Sequence, residues 1–412
     1  MKKVNSNVCM IVHEYYPKDF RVRRESEALA EAGYNVSVIS LRNKNESNFE
    51  IYNGVEIYRM PVCRHRGAPL YVYLFEYLTF FIFAGIKLSL LHFKKIFKSV
   101  QVHNPPDFLV FSALIPKLTG AKIIIDIHDK TSELFKSRFG TGYKKRIVFF
   151  IKFIEKLSAA FADKIITAVN VYKIDFIKSG VPAGKIEVIL NTADEKYFSP
   201  TVQNKTIKLA PDINIKTDSI LLKLFHHGTL VKRYGLDVLI KAAGLLKKNK
   251  INFVLDIYGE GDFYSELNAL VKSLNLENNV FFHGFIMLDY LAEKIAAADL
   301  CVVPNRKDLF MDSILPTKLL EYILMEKPAI VSRTKGVEEY FSDKEITFVK
   351  PDSPEDLFAA VMSFVDNREP HLKKTAAAKQ KYSEIEWKTQ KEKLIDFYRF
   401  QSATKNILAV NE

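Results

Sequence analysis

The feature that most restricts the fold is an alternation of short apolar runs with helix-patterned stretches, interrupted once. Val8–Val12, Val36–Ile39, Val55–Met60, Ile123–Ile127, Lys164–Ala168 and Ile186–Leu190 read as strands. Ile123–Ile127 (IIIDI) is apolar almost throughout, as a strand buried on both faces requires. Arg23–Ala32 reads as a helix stopped by Gly33. Residues from about 196 to 218 are polar, contain two prolines and lose the period. The alternation then restarts at Leu221–Phe225 and runs through Phe253–Tyr258, Val280–Phe282, Leu300–Val303, Ala329–Ser332 and Ile346–Val349. Strand–helix–strand repetition specifies parallel, doubly wound α/β sheets. The expectation is two such domains, 1–196 and 197–384. A charged helical tail follows, from about Pro370, with Trp387, Leu394 and Tyr398 near one face suited to packing back on the first domain. With 412 residues and 48% hydrophobic content, the chain has material for two cores.

The formal net charge of +12 points to a polyanionic partner: nucleic acid, an acidic membrane surface or a phosphorylated substrate. The three cysteines, Cys9, Cys63 and Cys301, have no ligand spacing, suit a reducing compartment and are expected to be small buried hydrophobes. The first apolar run (VCMIV) is too short for a signal-peptide core, so a cytoplasmic location is expected. Leu70–Phe83 is almost wholly apolar. Extension to the length of a bilayer span brings in Glu76, Lys87 and His92, which argues against a transmembrane helix. Basic residues (Lys87, Lys94, Lys95, Lys98) interleave with Ile86, Leu90, Phe93 and Phe97 there, and Phe135–Lys156 repeats the mixture. Such segments suit peripheral contact with an anionic membrane, or a core-facing helix with a solvated lysine face. No nucleic-acid-binding motif is present, and the many phenylalanines favour lipid over nucleic acid.

Two phosphate-binding patterns are excluded. The first strand runs into His13-Glu14-Tyr15-Tyr16-Pro17 without the glycines of a dinucleotide fingerprint, and Gly180–Lys185 is one residue short of a P-loop. No Asp-x-Asp pair occurs, so no metal is expected. The second half instead places glycine turns after successive strands: Gly228-Thr229, Gly259-Glu260-Gly261 and Gly284-Phe285. Ligands of parallel sheets bind at such strand ends, and glycine admits close backbone approach. The segment Leu315–Tyr322 (LPTKLLEY) follows, with Pro316 and Thr317 at a helix start. Free amides there favour a diphosphate, Lys318 adds a positive charge, and Glu321 offers two oxygens for a vicinal diol. By itself the segment equally fits a surface Lys–Glu pair.

In order along nearly the whole chain, Arg21–Gly33, Val102–Asp107 (VHNPPD), Ile125–Asp129 (IDIHD), Val188–Asp194, His227–Leu239, Tyr258–Asp262, Pro316–Pro328 and Trp387 resemble the family 4 retaining glycosyltransferases of GT-B fold. The resemblance implies two Rossmann-like domains facing a cleft, acceptor bound by the first and a UDP- or GDP-linked sugar by the second. It also implies a last helix returning to the first domain (about 385–412). It makes Glu321 the second carboxylate of the family's E-x(7)-E motif, on the donor ribose, and His128 a histidine near the donor sugar. Gly228, Gly259 and Gly261 become donor-side turns, joined by Gly284. The first motif carboxylate falls at Ser313, leaving Asp312 or Asp308 as substitutes. Thr229 and Tyr234 stand where a basic pair is usual, so Arg233, or else Lys232, is the candidate for the diphosphate.

The expected chemistry is transfer of a hexose-type sugar with retention, without metal or other cofactor, to a saccharide or lipid-linked acceptor in cell-surface polysaccharide or glycolipid synthesis. Arg233 and Lys318 stabilise the leaving diphosphate. His128 orients the sugar, with Asp129 supporting its loop. Arg21 and Arg23, beside Arg24, meet a phosphorylated acceptor, with His103 and Asn104 on the same side. Two rivals share the architecture: a sugar-nucleotide 2-epimerase and a non-catalytic saccharide-binding relative.

Overall fold

The structure is a computed structural model that describes residues 6–65, 69–139, 145–198 and 221–408, without the side chains of 138, 139, 289 and 400–408. Contacts divide the chain into two compact units, 1–191 with 388–412, and 192–387. The polar break expected at about 196–218 lies almost wholly outside the described residues, as do the side chains of Arg138 and Lys144 in the second basic stretch.

Among its described residues the first unit holds eight strands: β1 (Asn7–Tyr15), β2 (Asn35–Leu41), β3 (Phe49–Tyr52), β4 (Val55–Met60), β5 (Ser99–His103), β6 (Lys122–Ile127), β7 (Lys164–Thr167) and β8 (Ile186–Val188). Their order is β3-β4-β2-β1-β5-β6-β7-β8. All pairs are parallel except β3 with β4, a hairpin turned at Asn53-Gly54, both at positive φ. Apolar-run reading missed β3 and β5. β5 (SVQVH) is buried along its whole length although Gln101 and His103 are polar, because other buried groups bond them. The helix Phe20–Glu31 starts three residues before the expected Arg23, because the Asp19 carboxylate accepts from Val22 N at 3.0 Å and caps it.

The helix Leu70–Lys95 runs unbroken for 26 residues and is long and apolar enough to cross a membrane by length and composition. The groups that argued against a span are turned inward. The Glu76 carboxylate accepts from His65 N at 2.8 Å and lies 3.1 Å from His13 Nε2. His92 Nδ1 accepts from Phe97 N, so its Nε2–H faces Thr119 Oγ1 at 2.6 Å. The tail forms two helices, Glu369–Tyr382 and Trp387–Leu408, rather than one. The second packs on the first unit: Leu394 and Tyr398 are buried, Gln390 accepts from Leu190 N at 3.0 Å, and the Tyr398 hydroxyl donates to the Gln101 carbonyl.

Among its described residues the second unit has six parallel strands, β9 (Leu222–His227), β10 (Phe253–Tyr258), β11 (Val280–Phe282), β12 (Leu300–Val303), β13 (Ala329–Ser332) and β14 (Thr347–Val349). Their order is β11-β10-β9-β12-β13-β14. The order reverses between β9 and β12, which opens a crevice at their carboxyl ends. Leu224, Leu239, Ile257, Leu267 and Val302 pack the core beneath. Cys9 and Cys301 are buried in β1 and β12. Cys63, expected to be buried, is exposed because it follows the end of β4 in a loop.

Candidate active site

The second unit brings the three glycine turns side by side at the ends of β9, β10 and β11. Gly228 N donates to Tyr258 O at 2.9 Å, Gly259 N to Gly284 O at 2.7 Å, and Leu230 N to Glu260 O at 2.9 Å. Gly259 has a φ of +139°, and a Cβ there would lie 1.9 Å from Gly228 O; at Gly261 it would lie 2.1 Å from Leu230 O. At these two glycines a side chain would collide with the backbone of the neighbouring turn, so glycine is what lets the turns stack on each other. Gly228 differs: its bare Cα faces the Lys318 ammonium. A Cβ at Gly284 would meet Glu260 Oε1 at 3.9 Å, an ordinary contact, and Thr229 is exposed.

The helix Thr317–Leu324 begins after Pro316, whose carbonyl accepts from Leu319 N at 3.0 Å. Lys318 and Glu321 do share a face, and it points inward at the end of β9. Lys318 is buried, 4.4 Å from the centre of the Tyr234 ring, with Nζ 3.5 Å from His226 Nε2. His226 Nδ1 lies 2.8 Å from Val302 O, which can only accept; the ring proton is therefore on Nδ1, and Nε2 turns its lone pair to Lys318. Burial, reinforced by Lys318, holds His226 well below its usual pKa and neutral. Burial also lowers Lys318 to about 8, against the pull of Glu321. Glu321 lies 2.8 Å from His227 Nε2. Sequence reading missed both histidines; their signal was position, as the last two residues of a strand before a glycine turn.

Arg233 lies in the short turn Lys232–Tyr234, with its guanidinium 5.5 Å from the Tyr234 ring centre and 5.7 Å from that of Phe310. It has no carboxylate partner among the described residues. Lys232 is exposed. This loop is clamped to the one after β12: Arg306 donates to Lys232 O and to Asp237 at 2.6 Å, and a Cβ at Gly235 would meet Pro304 O at 2.0 Å. Asn305, between those contacts, is buried with its side-chain oxygen unbonded.

The substitutes for the first motif carboxylate are committed elsewhere. Asp312 accepts from Lys335 N at 3.0 Å and pairs with the Lys335 ammonium at 3.1 Å, which brace the short helix Lys335–Glu338. Burial disfavours its charge, yet the Lys335 amide and ammonium and the nearby Lys307 hold its pKa low. Asp308 accepts from Phe310 N and Met311 N at 2.9 and 2.7 Å, capping the turn Met311–Ser313. Ser313 is buried and directs its hydroxyl to Leu309 O.

In the first unit, Arg21 overturns its assignment to a phosphorylated acceptor. It is buried, donates twice to Asp126 at 3.0 and 2.9 Å and once to Ile189 O at 2.9 Å, and lies 3.2 Å from Glu25. Burial disfavours its charge, but Asp126 and Glu25 hold its pKa above the ordinary value. Burial likewise opposes ionisation of Asp126, and Arg21 and His128 hold it well below the carboxylate range. Arg23 lies over the Phe20 ring at 4.9 Å, half-buried. His103 is fully buried, with Nδ1 3.1 Å from Asp126 and 3.0 Å from His128 Nε2. Asn104 also differs from expectation: its oxygen accepts from His128 N and its amide donates to Asp129 O and Asp107, so it fastens the loop carrying His128 and Asp129. His128 alone of the buried chain reaches partial exposure. Atoms of His103, Asp126 and His128 lie within 4.8 Å of one another, close enough for a metal ion. Arg21, holding both Asp126 oxygens, makes that site hostile to a cation.

Comparison with known families decides what this arrangement belongs to. The family described as "Glycosyl transferases group 1" matches residues 213–382, and "Glycosyl transferase 4-like domain" matches residues 20–192. The chain belongs to the group 1, GT4-like glycosyltransferases. Among solved structures, this glycosyltransferase is similar to a sucrose-phosphate synthase from Thermosynechococcus elongatus (TM-score 0.74, 18% identity, covering 97% of this chain and 100% of that one). It is also similar to Anabaena HepE in complex with UDP and glucose (TM-score 0.69, 14% identity, 96% and 100%). These likenesses establish the GT-B fold. Among curated proteins, it is 24% identical over 237 residues to the alpha-galactosylglucosyldiacylglycerol synthase of Streptococcus pneumoniae, covering 56% of this chain and 59% of that one. A glycosyltransferase of amylovoran biosynthesis from Erwinia amylovora is 24% identical over 188 residues, 45% of this chain and 43% of that one. The chain thus spans about three-fifths of the length of the first of these relatives, or less.

Proposed function

We propose that this glycosyltransferase moves a hexose-type sugar from a UDP- or GDP-linked donor to a saccharide or lipid-linked acceptor, with retention of anomeric configuration. The observation that carries the reading is the convergence on one strand end of Gly228, Lys318 and Glu321, at the crevice where the sheet order reverses. In this reading the second unit holds the donor and the first the acceptor. Lys318, Arg233 and the amides at Thr317 and Lys318 receive the diphosphate; Glu321, 2.8 Å from His227 Nε2, accepts the ribose hydroxyls.

The bond from the anomeric carbon to the diphosphate breaks with its electrons on the phosphate oxygen. The acceptor oxygen bonds to the same face of that carbon, and its proton passes to the departing diphosphate. Lys318 and Arg233 stabilise the charge that develops, so no metal and no protein nucleophile is required. His128, backed by His103 and Asp126, orients the sugar hydroxyls. The relatives named for glycolipid and amylovoran synthesis support a place in cell-surface polymer or glycolipid production; in this reading the enzyme works in the cytoplasm, at the anionic inner face of the membrane.

A screen of nucleotide sugars by thermal shift, followed by transfer assays, tests this. Glu321→Ala and Arg233→Ala are expected to cut transfer at least about tenfold, a loss of about 1.4 kcal/mol. Full activity in both folded variants rules the site out. The commitment of Asp312 and Asp308 favours one rival, a saccharide-binding relative without catalysis; donor binding with no nucleotide release under any acceptor identifies it.

A further inference from the structure

The helix Leu70–Lys95 is apolar on two opposite sides, and the first unit covers one of them. Tyr73, Phe80, Ala84, Leu88 and Leu91 form the buried stripe. Tyr71, Phe75, Ile82, Ile86, Leu90 and Phe93 form the opposite stripe in solvent, with Tyr71 at 73%, Phe75 at 74% and Phe93 at 69% exposure. The helix Lys145–Phe161 repeats the arrangement with exposed Phe149, Phe150, Phe153 and Leu157. The segment 107–118 runs between the two helices: Phe108 meets Phe81 at 5.9 Å and Phe111 meets Phe161 at 5.1 Å, with Leu114 and Leu118 exposed between. Exposed apolar residues therefore line both helices and the segment that joins them, more than the single scattered residues of an ordinary surface.

Charge decides its occupant. Lys94, Lys98, Lys145, Arg146, Lys152 and Lys156 are exposed on and beside these helices. Their acids turn away: Glu76 is bonded to His65 and near His13, and Glu155 accepts from Ser132 N, its pKa raised by burial to about 7. A second copy docked by two-fold symmetry would set this cationic patch against itself. An anionic bilayer matches both its charge and its apolarity. We propose that the joint face of the helices Leu70–Lys95 and Lys145–Phe161 seats this glycosyltransferase in the headgroup region of an anionic membrane, with the long helix in the membrane plane. The helix does not cross, because its inner stripe, with Glu76 and His92, is bonded into the protein. This rests on the reading of the enzyme as one that works at a membrane surface.

The full chain is mixed with vesicles of phosphatidylcholine alone and of phosphatidylcholine with phosphatidylglycerol, and sedimented. Binding is expected to the anionic vesicles and to fall with salt. The triple variant Phe75→Ser, Phe93→Ser, Phe149→Ser, and separately Lys94→Glu, Lys152→Glu, Lys156→Glu, each lose at least about tenfold in vesicle affinity. Thermal stabilisation by UDP or GDP stays at the wild-type level in both. No binding by the wild type, unchanged binding by both variants, or a vesicle-free dimer that the serine variant abolishes overturns the proposal. Resistance to alkaline extraction overturns the in-plane placement. If vesicles fail while nucleotide still stabilises, the surface is wrong and the transferase reading stands; if nucleotides fail while vesicles bind, the reverse holds.

Discussion

The Lys318 ammonium is aimed at the Cα of Gly228: a methyl group there would lie 2.7 Å from Nζ. Gly259, on the next turn, is less tolerant of a side chain, since a Cβ there would lie 1.9 Å from the Gly228 backbone carbonyl. Their substitutions should separate. Gly228→Ala displaces the end of a flexible side chain; it is expected to weaken UDP or GDP binding at least about tenfold, with a stability loss of about 1 kcal/mol from backbone strain. Gly259→Ala forces backbone apart and is expected to cost several times more stability. Calorimetric titration and denaturant midpoints on both variants check this; the same phenotype in each would refute the distinction.

Lys318 makes nucleotide binding depend on pH. It is faced by neutral His226, by the Tyr234 ring and, along its helix, by Glu321, with His227 beyond. Burial lowers its pKa from 10.5 to about 8. A bound diphosphate favours the charged form, so binding above about pH 8 takes up a proton and weakens as pH rises. Stability moves oppositely: between about 8 and 10.5 the unfolded chain binds more protons at this site, so the Lys318 contribution to stability increases with pH. Titrations at pH 8.5 in buffers of different ionisation enthalpy should reveal the proton uptake, and Lys318→Met should abolish it.

The buried set around Asp126 predicts structural rather than acceptor-binding phenotypes. Asp126→Asn leaves the Arg21 charge undercompensated and is expected to cost about 3–5 kcal/mol. Arg21→Ala should destabilise comparably, and Arg23→Ala far less, because Arg23 is half-buried over Phe20. Tyr398→Phe removes the donor that the returning helix gives to Gln101 and should cost about 1–3 kcal/mol. Thermal unfolding of the four variants checks the ranking. An Arg21→Ala protein of wild-type stability with a raised acceptor KM would restore the original assignment.

Much of the fold was legible because a strand buried on both faces must be apolar along its length, as Ile123–Ile127 is. β5 escaped for the converse reason: Gln101 and His103 break the run, and only the groups that bond them make their burial possible. In the site, LPTKLLEY and the glycine turns were readable as types. His226 and His227 carried only their position as the last two residues of a strand before a glycine turn, and nothing local marks Asn305 at all.

The sequence by itself determined the two parallel α/β units, the order of their motifs and the candidate donor helix, because hydrophobic period and glycine placement are local properties. Tertiary structure decided which polar groups were free to act. Arg21 found Asp126 across 105 positions and was withdrawn from the surface, and Asp312 was taken by Lys335. Lys318 met a neutral histidine 92 positions away instead of a carboxylate. A buried charge must be paired or shift its pKa, and which of these happens depends on what the fold places within a few ångströms.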